Sequence, residues 1–321
     1  MSMPTSQASK SAVPRPIPRL EGLAKIDDEA YWLTGEERKK FLNAYNTQDI
    51  LKLEAGDVAP GVFLTQKGKI VSPCWIGNLP DKILLLFPRG YGKKVEEHLK
   101  TFLLFADVQW TEAPPKSHQA ILGDRVPDLL KNLGWEQGED RPQLALRSFQ
   151  GEDLILLKTT RLGTLALECV GPPKAVEAFI QSLAQFPALS SFDLENLRVA
   201  AAIPKMGVDM SEENLVAEVG LDTQATSFNK GCYLGQETTA RVNSMGHVNK
   251  KLTELSLEKN YRGPLPQDIL QNEKKVGALS SLEPATDGPQ RGLGILHRQA
   301  LEGSDPLTVQ SEEGPVVVRR I

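Results

Sequence analysis

Lys230-Gly231-Cys232-Tyr233-Leu234-Gly235-Gln236-Glu237 sets one thiol between a lysine, two glycines and an amide–acid pair. The residues from Glu237 to Val242 read as helical, so the thiol stands just ahead of a helix N-terminus. Unpaired backbone N–H groups and the helix dipole stabilise a thiolate there, and a nearby ammonium adds to the effect. The glycines let the backbone approach a neighbour or a ligand with no side chain in the way. The competing reading is a small residue at a tight loop-to-helix junction beside a solvated lysine. Physics alone favours that structural reading, because most lone cysteines outside a recognised signature are structural.

Upstream of this stretch the chain mixes strands and helices. Ile26 to Leu33 reads as a strand, and Thr34 with Glu37 three residues on reads as a capping box opening a helix through Phe41, Leu42 and Tyr45. Gly61 to Thr65 and Ile70-Val71 form a hairpin pattern around Gln66-Lys67-Gly68-Lys69. Ile83 to Phe87 has strand length, and Lys93 to Leu104 places Val95, Leu99, Phe102 and Leu103 at helical spacing. Strands are expected around Val108, at 120–122, 144–146, 154–157 and 165–170, and helices from Pro172 to Ala184 and from Ser190 onward. No regular strand–helix–strand rhythm runs through these elements, which points to an α+β class. Beyond Lys250, short strands at 252–257, 276–282, 292–296 and 316–319 alternate with Gly, Pro and Asp, the pattern of a small antiparallel barrel. The division expected is a disordered leader over 1–21, an α+β region over 22–249 and a C-terminal barrel over 250–321.

The composition narrows the class. The chain has 321 residues, 40% hydrophobic and 24% charged, as in soluble globular proteins. A net charge of −4 gives no global attraction to nucleic acid or anionic membrane. No apolar run reaches the ~20 residues of a spanning helix. Three widely spaced cysteines, Cys74, Cys169 and Cys232, form no C-x-x-C pair, so no self-contained metal site is expected and a reducing, cytoplasmic location is. Cys74 and Cys169 lie in apolar runs and are expected to be buried small hydrophobes. His247 has no second histidine at ligand spacing and is read as a structural hydrogen-bonding residue.

The densest signature runs through Ile203-Pro204-Lys205-Met206-Gly207-Val208-Asp209, Phe228 to Glu237, Arg241, and Gly246-His247-Val248-Asn249-Lys250. On these residues the chain resembles the folate-binding YgfZ-like proteins, relatives of the glycine-cleavage aminomethyltransferase (T-protein). A weaker match covers Phe41 to Ile76, including Asn46-Thr47-Gln48-Asp49 and Lys67-Gly68-Lys69. The resemblance implies a three-lobed, ring-like α+β body with a folate-sized channel and a C-terminal β-barrel. It implies tetrahydrofolate or a derivative as cofactor, and help in assembling or repairing iron–sulfur enzymes, tRNA-modifying radical enzymes among them. The family's cysteine maps onto Cys232 as the reactive group. Lys230, Tyr233, Gln236, Glu237, Arg241 and Arg198 are the candidate cofactor-binding residues that go with it. Iron–sulfur client proteins are the implied partners of a monomer, with no direct nucleic-acid contact and no membrane.

The chain also departs from the pattern. Aminomethyltransferases carry acidic residues just after the Lys-Gly hairpin, where this chain has Ser72-Pro73-Cys74. Serine and proline supply no carboxylate to orient an amine, which argues against glycine cleavage. Arg198-Val199-Ala200-Ala201-Ala202 stands where relatives often carry R-x-E-x-G. Losing that glutamate forgoes a charge-assisted bond to the pterin, on the order of 1.5–3 kcal/mol. Folate binding is therefore expected to be weak or differently anchored. The alternative function is a folate-dependent one-carbon transferase acting on an unknown amine.

Overall fold

The computed structural model describes residues 17–113, 116–136, 141–284, 289–303 and 305–321. The leader expected over 1–21 lies, through residue 16, outside the described residues.

The first two strands, β1 (Gly22–Lys25) and β2 (Asp28–Thr34), separate into different sheets at once. β2 joins β3 (Val58–Leu64), β4 (Ile70–Asn78), β5 (Ile83–Pro88) and β6 (Gln109–Glu112) in an antiparallel sheet of order β3-β4-β5-β2-β6. β1 instead pairs with β7 (Ser117–Leu122), the start of a second antiparallel sheet. β8 (Gln143–Phe149), β9 (Glu152–Thr159) and β10 (Ala166–Gly171) complete it in the order β1-β7-β10-β9-β8.

Strand alternation sorts the side chains to two faces. Tyr31 and Leu33 of β2 enter a core with Phe41 and Leu42 of α1 (Arg38–Tyr45) and Val95 and Leu99 of α2 (Gly92–Leu103). The opposite face of the first sheet, with Leu84 and Leu86, packs on Ile155, Leu157 and Val170 of the second. The far face of the second sheet is covered by α3 (Val126–Asn132) and α4 (Pro173–Leu183) through Leu130, Val176, Phe179 and Ile180.

A polar knot ties the two sheets. Buried Glu168 of β10 accepts hydrogen bonds from His118 Nε2 at 2.8 Å and from Arg161 Nε at 2.9 Å. The Arg161 guanidinium also reaches Asp28 of β2 at 2.7 Å. Burial alone would raise the Glu168 pKa, but the charge of Arg161 and the hydrogen bonds from His118 and Arg161 hold its carboxyl well below the usual range.

Three helices follow, α5 (Ser191–Ala200), α6 (Leu221–Gln224) and α7 (Gln236–Met245). The remaining strands are β11 (Lys250–Leu257), β12 (Gln267–Gln271), β13 (Lys274–Leu282), β14 (Gln290–His297), β15 (Leu307–Ser311) and β16 (Gly314–Arg320). They close into a barrel in the order β11-β14-β13-β12-β15-β16, capped by α8 (Arg298–Glu302). Leu255, Ile269, Leu279, Leu296, Val309 and Val318 fill its interior. The expected α+β body with a C-terminal barrel is the fold observed.

Two local expectations need correction. Thr34 does not cap a helix: it ends β2, Gly35 turns the chain at φ +102°, and α1 starts at Arg38. Glu37 accepts a bond from the backbone N–H of Asp107 at 3.0 Å, so the capping box never forms. In the barrel, β12 and β15 have no counterpart in the sequence reading. Each offers only two apolar residues among polar ones, and barrel closure supplies the pairing that their own pattern does not advertise.

Candidate functional site

The loop from Lys230 to Gly235 is fastened at both ends. The Lys230 ammonium donates to three backbone carbonyls: Asn43 at 2.6 Å, Asn46 at 2.8 Å and Gln48 at 2.7 Å. These lie at the end of α1, where a cation complements the helix dipole and satisfies orphan carbonyls. All three ammonium donors are thereby used. Burial pulls the Lys230 pKa down to about 8, with the Asp49 charge opposing. Leu234 N–H donates to Ala44 O at 2.9 Å, fixing the second point on α1.

The turn beneath the loop is equally tied. Thr47 Oγ1 accepts from Val62 N–H at 2.8 Å and donates to Ala225 O, while Ser227 N–H reaches Thr47 O at 2.9 Å. Tyr233 is half-buried against Val62, Leu64, Met206 and Met210, and its ring centroid lies 5.0 Å from the Lys230 ammonium. Burial raises its pKa. Gln236 turns back, its Oε1 accepting from Tyr233 N–H at 3.0 Å. At the far end the backbones of Gly235 and Gly68, the tip of the β3–β4 hairpin, are in contact.

Cys232 stands exposed on this braced loop, whereas Cys74 and Cys169 are buried. Burial pushes the Cys169 thiol up to about 12 and the Cys74 thiol higher still, against a hydrogen bond from Asn46. Neither buried thiol ionises at neutral pH, which leaves Cys232 as the exposed one of the three.

The other candidates divide. Glu237 and Arg241 sit one helical turn apart on α7, both exposed. Arg198 lies apart from the loop, at the joint between α5 and the barrel. Its five N–H groups go to Glu195 (3.0 and 2.6 Å), Ile203 O (2.6 Å), Asp209 (2.6 Å) and Ser281 Oγ (2.7 Å). Burial opposes the Arg198 charge, but the bonds to Glu195 and the charge of Asp209 raise its pKa.

Asp209 is the centre of that joint. Its Oδ1 accepts from Ser280 Oγ at 2.5 Å and Ser281 Oγ at 2.7 Å on β13. Its Oδ2 accepts from Arg198 at 2.6 Å and Lys205 N–H at 3.0 Å. In the sequence Asp209 stands out only as the end of the Ile203–Asp209 signature. The overlooked signal is the Ser280-Ser281 pair inside an otherwise apolar-patterned strand.

A cleft of about 390 Å³ opens between α7 and the barrel. Phe228, Thr238, Val242, Gly246, His247 and Lys251 are among its walls, so both motif segments that bracket Cys232 contribute. His247 forms a local hydrogen bond between Nδ1 and Met245 O at 3.0 Å. Among the described residues no three His, Cys, Asp or Glu side chains converge as a metal site.

Two of the six residues that the resemblance assigns to folate are taken up within the chain. Lys230 and Arg198 have no donor left over. Ser72 and Cys74 are buried on β4 without a carboxylate, and Ala200 is buried with its carbonyl facing Arg291 Nη1 at 3.4 Å.

No family model matches the chain. It is 25% identical over 295 residues to the tRNA-modifying protein YgfZ of Colwellia psychrerythraea, covering 90% of this chain and 88% of that one. A chloroplastic protein of Arabidopsis thaliana named as a transferase is 26% identical over 303 residues, 89% of this chain and 67% of its own. The mitochondrial iron-sulfur cluster assembly factor IBA57 of Mus musculus is 34% identical over 112 residues, 33% of this chain and 28% of its own. The crystal structure of aminomethyltransferase T of the Bartonella henselae glycine cleavage system superposes with a TM-score of 0.79 at 15% identity, over 94% of this chain and 85% of that one. That structural likeness fixes the fold. Together with the YgfZ relatives and the Lys230–Glu237 loop, it makes this chain similar to the YgfZ proteins along most of its length, on the fold of aminomethyltransferase T.

Proposed function

We propose that this protein serves iron–sulfur proteins, those that modify tRNA among them, as an accessory in assembly or repair, with Cys232 as its reactive group. The observation that carries the reading is an exposed thiol on a loop fastened to α1 by Lys230 and Leu234 and to the β3–β4 hairpin by Gly235. Such bracing holds a reactive atom in place without burying it, as sites on rigid supports require. The relatives named for tRNA modification and for iron–sulfur cluster assembly support the substrate class. The cleft between α7 and the barrel gives a client surface a recess whose walls flank the thiol loop in sequence. No helix of the described residues is long and apolar enough to cross a membrane. A monomer in a reducing compartment, the cytoplasm in a bacterial host, completes the proposal.

The test is rescue of a gene-deletion strain under oxidative stress, with the activity of a [4Fe–4S] enzyme as readout. Wild-type and Cys232→Ala proteins are compared at matched levels. Rescue by wild type alone is expected. Equal rescue by both makes the thiol structural and moves attention to the cleft. No enzyme defect in the deletion strain removes the reading.

The alternative, one-carbon transfer to an unknown amine, meets the missing carboxylate on β4. Turnover of methylene-tetrahydrofolate with candidate amines is the measurement that would revive it.

A further inference from the structure

Lys82, in the β4–β5 turn, and Lys116, just ahead of β7, come from different sheets and meet at one ring. The Lys82 ammonium lies 4.5 Å and the Lys116 ammonium 4.6 Å from the centroid of Trp32. Trp32 of β2 and Trp75 of β4 are half-buried on the face where the first sheet packs against the second, with β5 between them. Neither ammonium forms an ion pair or hydrogen bond among the described residues.

We propose that Lys82 and Lys116, gathered over Trp32 at the seam of the two sheets, bind the carboxylate or phosphate group of a small organic anion. The chemistry follows from what is gathered there. An indole face attracts an ammonium electrostatically but leaves its charge uncompensated. Two ammoniums held at one ring also repel each other, and burial strengthens that repulsion. Three other buried or half-buried cations of the fold are answered by acceptors: Arg161 with Asp28 and Glu168, Arg198 with Glu195 and Asp209, Lys230 with three carbonyls. At Lys116 burial and the like charge of Lys82 push the pKa down to about 8, and no carboxylate pulls it back. An anion bridging the two ammoniums relieves both costs and clasps the sheets together. The indole beneath offers an apolar surface to the rest of the ligand. The site is independent of Cys232 and stands or falls separately from the function proposed above.

Titration calorimetry and tryptophan fluorescence on the full chain test it, with 5-formyltetrahydrofolate and pyrophosphate as the two probes. One probe is expected to bind once per chain and to change the emission, and the change should vanish in Trp32→Phe. Lys82→Gln and Lys116→Gln should each weaken that binding at least tenfold. Lys82→Arg and Lys116→Arg should retain it, and Lys259→Gln, at an exposed lysine just past β11, should leave it untouched. At pH 8, binding should take up protons, as two buffers of different ionisation heat reveal, and Lys116→Gln should abolish the uptake. Binding of 5-formyltetrahydrofolate alone identifies a carboxylate ligand of folate type, and binding of pyrophosphate alone a phosphate ligand. Absence of binding by both at millimolar concentration overturns the proposal. So does binding that ignores both lysine-to-glutamine changes.

Discussion

Gly68 and Gly235 meet so closely that a side chain on either would crowd the other and its surroundings. A Cβ on Gly235 would lie 3.2 Å from Gly68 Cα and 2.6 Å from Thr65 O. One on Gly68 would lie 3.2 Å from Gly235 O and 2.7 Å from Thr238 Cβ. Both residues hold positive φ, +75° and +84°. The hairpin tip and the thiol loop thus meet through these two glycines, with Thr238 and Leu64 packed beside them. Gly235→Ala combines left-handed strain with overpacking, so a loss of about 3 kcal/mol is expected in urea unfolding. A loss under 1 kcal/mol would mean that the loop moves aside easily and is not braced there.

The three thiols should separate cleanly by reactivity. One equivalent per chain, at Cys232, should react with a thiol reagent in the native state, and three after unfolding.

The buried Cys169 also gives a pH signature. Its folded pKa is raised to about 12, so above the unfolded value near 8.5 the unfolded chain holds fewer protons than the folded one. Its contribution to stability is complete below that pH and is lost as pH rises. Cys169→Ala escapes this loss. The stability gap between wild type and Cys169→Ala should therefore narrow by on the order of 2 kcal/mol between pH 7 and pH 10. A pH-independent gap would contradict the burial of the thiol.

Asp209→Ala removes the acceptor for Arg198, Lys205 N–H, Ser280 and Ser281 together. Leaving the Arg198 guanidinium without this partner should cost about 3–5 kcal/mol. Limited proteolysis should then cut first between the body and the barrel. Unchanged cleavage sites would show that the apolar contacts of α5 hold the barrel unaided.

Ala202 occupies the C′ position of α5 at φ +54°, with Ile203 N–H bonded to Arg198 O at 3.0 Å. That is the Schellman position glycine normally takes. Ala202→Gly should raise stability by about 1 kcal/mol in urea titrations.

Much of this arrangement was legible in the sequence where the pattern is local. A helix opens at Ser190 as expected, with Ser190 and Asp193 forming a capping box, and the hairpin around Gly68 forms where expected. Buried Cys74 and Cys169 and exposed Cys232 also follow from their neighbours. What escaped depends on distant partners. Lys230 was open between a ligand contact and a solvated charge, because nothing near residue 230 announces the carbonyls of residues 43, 46 and 48. Arg198 seemed available for a ligand, but its partners include Ser281, far along the chain. The Thr34 cap failed because Glu37 found Asp107, a tertiary partner that overrode the local box.

The early parting of β1 and β2 has a mechanical consequence. Because β1 belongs to the second sheet and precedes the first, the whole first sheet is an insert between β1 and β7. The chain crosses between the sheets twice, after Lys25 and after Glu112, and both crossings are short. A single crossing would act as a swivel, whereas a pair permits rotation only about the line that joins them. During synthesis the first sheet has all its strands once Glu112 has emerged, yet β1 must wait for β7. The amino-terminal strand is thus a latch that closes late.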